Sequence, residues 1–147
     1  MKPINEMRLR IESRSVNEAF ARAAVAAFVS QLDPTLEEIS DIKTAVSEAV
    51  TNCIVHAYAD SVGQIYIWAG LYEDGGVRIK IRDTGCGIED VKKAMEPLYT
   101  TLGEERAGLG FAVMESFCDR LGVRSAPGKG TTVTLTKYIK GRNGDDD

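Results

Sequence analysis

One histidine and three cysteines are scattered over 147 residues, too sparsely for a zinc site. Cys53, Cys86 and Cys118 are odd in number and form no CxxC pair, so no disulfide framework is indicated either. Reduced thiols in a cytosolic protein are the simplest reading. Long apolar runs are also missing, and nothing approaches the roughly 20 residues needed to cross a bilayer. The opening MKPINEMRLRIES has no apolar stretch behind a basic one, so it does not read as a signal peptide. A cytoplasmic protein with no membrane partner is expected. Positive charge is not in excess: the formal net charge is -4 and the pI about 5.1. A general nucleic-acid binder carries a basic surface, so no direct nucleic-acid partner is expected. No internal repeat is visible.

What remains is a chain of one-domain size with 44% hydrophobic residues, enough for a core of its own. The expected domain covers residues 1–140, and the polar tail GRNGDDD at 141–147 is expected to be disordered. Met7, Leu9 and Ile11 alternate with Arg8, Arg10 and Glu12, which predicts a half-buried strand at a sheet edge or an interface. Ser15-Val-Asn-Glu18 reads as a capping box opening a helix with Phe20, Ala23, Ala24, Ala27 and Phe28 on its buried face. Pro34 suits the first turn of a second helix, whose apolar stripe from Leu36 to Cys53 runs to about His56. Strands follow at Gln64 to Leu71 and Val77 to Arg82, joined by the turn Glu73-Asp-Gly-Gly76. A short helix over Ile88 to Met95 is predicted, then a loop from Glu96 to Ala107. A helix from Phe111 to Leu121 with Gly122 as its stop and strands at 123–125 and 131–140 complete the pattern. Hairpin-joined strands beside separate helices predict a two-layer α/β sandwich: a mixed, mostly antiparallel sheet with helices on one face.

Several short patterns are able to carry chemistry. Glu48 and Asn52, four residues apart, share one helix face. An Asn oxygen is a neutral ligand for Mg²⁺, and a Glu one turn earlier can accept a proton from a hydroxyl. Taken alone the pair reads first as a solvated helix face. Asp83-Thr-Gly-Cys-Gly87 ends a strand; alone it is a turn, but a carboxylate there accepts a hydrogen bond from an adenine amino group, where guanine offers a carbonyl. Gly108-Leu-Gly110 opens a helix whose free amides suit phosphate. Thr131, at the start of the last strand, is placed to bond Asp83 or a bridging water. The only histidine, His56, reads as structural.

The order of these patterns is more specific than any one of them. ExxxN on a helix, DxGxGI after a strand, GLGF opening a helix and GKGTT at a strand resemble the GHKL superfamily, which has the Bergerat ATP fold, over nearly the whole chain. The resemblance implies ATP or ADP and Mg²⁺ as cofactors, Asn52 on the metal and Asp83 on adenine. It also implies that Gly85, Gly87, Gly108 and Gly110 shape the pocket, under a lid from Glu96 to Ala107. QLDPT, IKTAVSEAVTN, IVHAY, PLYTT and RAGLGF are similar to the anti-sigma factor and serine kinase branch of spore-forming bacteria, the sporulation type first and the general-stress type next. That branch implies a sigma factor partner, an anti-anti-sigma protein as serine substrate, and a homodimer. Glu48 would then be the proton acceptor, Arg106 would meet the γ-phosphate, and Glu18 and Arg22 on the first helix would be partner contacts. The alternative is a nucleotide-gated module that holds sigma without transferring phosphate.

Overall fold

Alternating polar and apolar residues build the sheet in the computed structural model, which describes residues 1–95 and 110–142. Strands β1 (Asn5–Glu12), β2 (Gln64–Leu71), β3 (Gly76–Asp83), β4 (Arg120–Ala126) and β5 (Gly130–Tyr138) lie in the order β1-β2-β3-β5-β4. All four pairings are antiparallel, so the mostly antiparallel expectation holds without a parallel component among the described residues. Ile65, Ile67, Ile79 and Ile81 turn to one face and are buried. The register sets Ile67 beside Ile81 and Ile81 beside Val133, a row of branched side chains across three strands. Each such burial stabilises the fold by roughly 1.5–3 kcal/mol. The opposite face carries exposed Arg8, Arg10, Lys80 and Arg82. There the Arg82 guanidinium lies 4.2 Å from the Tyr66 ring centre and the Lys80 ammonium 5.4 Å from that of Trp68.

Helices α1 (Asn17–Val29), α2 (Leu36–Asn52), α3 (Val91–Ala94) and α4 (Phe111–Phe117) complete the chain. Helix α2 is central, burying Ile42, Ala45, Val46, Ala49 and Val50. The capping box lies at its start, not at α1: the Thr35 hydroxyl accepts from Glu38 N–H, and the Glu38 carboxylate from Thr35 N–H. Pro34 therefore precedes the cap instead of filling the first turn. Ser15 caps nothing with its side chain: Glu18 N–H donates to the Ser15 carbonyl, and the Glu18 carboxylate turns to Arg22 and to Ser47 on the neighbouring helix. The buried face of α1 is also rotated from the expected one. Ala21, Val25, Ala26 and Val29 pack inward, while Phe20 is 52% exposed. An alanine-rich helix presents apolar atoms on every side, so its periodicity does not fix which face meets α2.

Two later boundaries move as well. Helix α4 stops at Phe117, and Leu121 and Gly122 belong to β4, where Leu121 pairs with Leu135. Leu121 and Val123 have the spacing of a strand, and cross-strand pairing outweighs the glycine stop signal. At the C-terminus the chain stays attached beyond residue 140. The Glu38 carboxylate accepts from Lys140 and Gly141 N–H, Arg142 N–H bonds the Asp33 carbonyl, and Gly141 is buried. Residues 143–147 lie outside the described residues.

Candidate functional site

After Asn52 the α2 coil widens into a π-turn, Cys53–Ala57, a local irregularity often found at functional sites. It faces the ends of β3 and β5 across a narrow cleft. Asn52, Cys53 and His56 line it from α2 and its extension, Asp83 and Thr131 from the strands, and Cys86, Gly87 and Ile88 from the segment after β3. Phe111 closes it from α4. The pattern read from the sequence thus converges in space, although residues 52 and 131 are far apart in the chain.

Asp83 is 5% exposed. Its Oδ1 accepts from Gly85 N–H at 2.9 Å and Thr131 N–H at 3.2 Å, and its Oδ2 from the Cys53 thiol at 3.6 Å. Burial raises the carboxyl above its usual range, and the N–H and S–H donors oppose that shift. Thr131 therefore meets Asp83 through its backbone, while its hydroxyl lies 2.8 Å from Ser125 Oγ.

The segment from Thr84 to Ile88 is tied on both sides. Tyr58 Oη accepts from Thr84 N–H at 2.7 Å and donates to the Gln64 carbonyl at 2.8 Å. Cys86 N–H bonds the Ala57 carbonyl, and Ile88 N–H donates to Ser125 Oγ at 2.8 Å. Gly85 packs so closely on the Ala57 carbonyl that a side chain there would collide with it. Gly87 has φ +78, and a Cβ would strike the Ala126 carbonyl, so strain and sterics both require glycine. Tyr58 and Ser125 were not among the residues singled out from sequence. Tyr58 stands inside the IVHAY stretch, but its partners are 6 and 26 residues away, and Ser125 carries no sequence signal.

Glu48 does not line the cleft itself. It stands one helical turn before Asn52, against Gly110 at the start of α4, where an added Cβ would collide with its Oε2. Gly110 has φ +68, which favours glycine there as well. Burial, and secondly the charge of Glu18, raise the Glu48 carboxyl above its usual range. Glu18 and Arg22 lie on α1, away from the cleft: Arg22 donates to Glu18 at 3.0 Å and to Ser47 Oγ at 3.2 Å, and Ser47 donates to Glu18 at 2.6 Å. Arg106, Gly108 and the whole of the expected lid, Glu96 to Ala107, lie outside the described residues. Chemically, the cleft offers a buried acceptor for an amino group at one end and an amide oxygen at the other, with a proton acceptor one helical turn beyond it.

Comparison with known proteins agrees with this arrangement. The family described as histidine kinase-like ATPase domain matches residues 11–137, and the chain belongs to that family. Nucleotide binding and an ATP-using, kinase-like fold follow from the membership. More particularly, the chain groups with the anti-sigma F factors. It is 62% identical over 140 residues to the anti-sigma F factor of Caldanaerobacter subterraneus subsp. tengcongensis, covering 95% of this chain and 96% of that one. The Geobacillus kaustophilus anti-sigma F factor is 52% identical over 136 residues, 92% of this chain and 93% of the relative. Among solved structures, the RsbU and RsbW domains of Rv1364c from Mycobacterium tuberculosis match with TM-score 0.67 and 24% identity, over 93% of this chain and 32% of that one. That likeness bears on the fold alone. Among the described residues no helix is long and apolar enough to cross a membrane.

Proposed function

We propose that the protein holds a sporulation-type sigma factor and uses Mg²⁺ and ATP to phosphorylate a serine of that factor's anti-anti-sigma antagonist. The observation that carries the proposal is the cleft lined by buried Asp83 at one end and Asn52 at the other, with Glu48 one turn before Asn52 on α2, just outside the lining. The names of the relatives support the sigma factor as partner.

Asp83 takes the adenine amino group as a donor and rejects a purine that presents a carbonyl there. The residues fit a magnesium ion held mostly by phosphate. Among the described residues no group of three or more acidic, histidine or cysteine side chains is present, and Asn52 offers one neutral oxygen. Bound there, Mg²⁺ would neutralise phosphate charge. Glu48 accepts the proton of the attacking serine hydroxyl, and its raised proton affinity makes it a better base than a fully solvated carboxylate. Gly85, Gly87 and Gly110 let the segments around the cleft pack against Ala57, Ala126 and Glu48, and Gly108 joins them in shaping the pocket by resemblance. Arg106, by resemblance, meets the γ-phosphate.

The α1 pair Glu18 and Arg22 contacts protein partners. Beside it Phe20 is exposed, which supports a protein-binding role for this surface. A homodimer is supported by β1, an edge strand whose outward Glu6, Arg8, Arg10 and Glu12 offer both signs of charge to a second copy.

The test is incubation of the purified protein with γ-labelled ATP, Mg²⁺ and host lysate, alongside Glu48→Ala and Asp83→Asn. Label on serine of a small partner protein, absent with both variants, is the expected result. Binding of ATP with no labelled protein would leave a nucleotide-gated holder of sigma and remove the kinase.

A further inference from the structure

Cys53 has no part in the reaction above, yet its thiol is 3% exposed, lines the cleft and donates to Asp83 Oδ2 at 3.6 Å. The other carboxylate oxygen is already occupied by two backbone N–H groups, from Gly85 and Thr131. We propose that Cys53 is a positioning residue for nucleotide recognition: its S–H donor fixes the Asp83 carboxylate so that Oδ2 offers its remaining lone pair to the exocyclic amino group of adenine. This rests on the reading of Asp83 as the adenine contact.

The need for a second anchor follows from carboxylate geometry. The last torsion of an aspartate has broad minima, so a group held at Oδ1 alone still rocks. An ionised carboxylate accepts at about four lone-pair sites, and the three donors leave about one for a ligand. A thiol suits the third place because S–H is a weak donor and leaves Oδ2 electron-rich. The π-turn puts it there: Cys53 is the first residue of the widened coil, and its side chain crosses to a strand end 30 residues away.

The experiment is calorimetric titration of the full chain and its Cys53→Ala and Cys53→Ser variants with ATP and with purine riboside triphosphate, which lacks the amino group. Melting temperatures are recorded to show that each variant is folded. Loss of one weak hydrogen bond predicts that Cys53→Ala binds ATP about threefold to tenfold less tightly. Its affinity for the amino-free analogue is expected to be unchanged. Cys53→Ser, which keeps a donor, is expected to stay within about twofold of the parent for both ligands. An equal loss for both ligands, or no loss for either, overturns the positioning role. Asp83→Asn separates the two levels: if it binds ATP as tightly as the parent, the adenine assignment fails, and the role of Cys53 fails with it.

Discussion

At one end of the cleft the Asp83 carboxylate accepts three hydrogen bonds from three different elements, and the segment after it is tied on both sides through Tyr58 and Ser125. Beyond the other end, one turn before Asn52 and outside the cleft lining, burial and the charge of Glu18 both press on the Glu48 carboxylate. The first arrangement suits recognition, because a fixed acceptor discriminates between purines only if it cannot turn away. The second suits reaction, because burial and a neighbouring like charge raise a carboxylate's affinity for a proton. On the proposed reading one helix serves both ends. Its regular turn sets Glu48 above Asn52, and its widened end aims Cys53 at Asp83.

Breaking the reactive end is expected to have the largest effect. Glu48→Gln should lower phosphoryl transfer by about 10²–10⁴-fold, while the ATP dissociation constant measured by titration stays within about threefold. Next comes the recognition end. Asp83→Asn replaces an acceptor of the amino group by an amide N–H, and ATP affinity should fall by about 30- to 100-fold in the same titration. Removing a tie behind that end is smaller and shows in stability. Tyr58→Phe leaves Thr84 N–H and the Gln64 carbonyl without their partner and should cost about 1–3 kcal/mol in urea unfolding.

The smallest expected effect is in pH dependence and sharpens the contrast between the ends. Transfer should fall as pH drops through a value above the ordinary 4.5 of a glutamate, as Glu48 takes up its proton. Glu18→Gln removes one of the two causes of the raised value and should move that limb of the profile to lower pH, read from single-turnover rates. The stability sign is opposite to that of a salt-bridged carboxylate. Glu48 binds its proton more tightly folded than unfolded, so its stabilising contribution is present below about 4.5 and is lost as pH rises through the folded value. Ligand-free Glu48→Gln is therefore expected to melt at a higher temperature than the parent at pH 7.

What could be read from the sequence follows the same division between local and distant contacts. Strand β2 was legible to the residue because period-two alternation leaves a slipped register exposed. Glu48 and Asn52 were legible as one face because the helical period places them so, and the loop after β3 because its glycines mark the turn. The ties were not legible. Tyr58 meets Thr84 across 26 positions, Ser125 meets Ile88 across 37, and Cys53 read simply as core. The face of α1 was misread because its small residues fit against a neighbour on several sides.

The most direct test of the division takes Glu48→Gln and the parent chain side by side, measuring ATP binding and single-turnover transfer to the purified antagonist in the same preparations. The account predicts unchanged binding and transfer reduced by at least about a hundredfold. Transfer by Glu48→Gln at the parent rate, or a parent chain that binds no ATP, would contradict it.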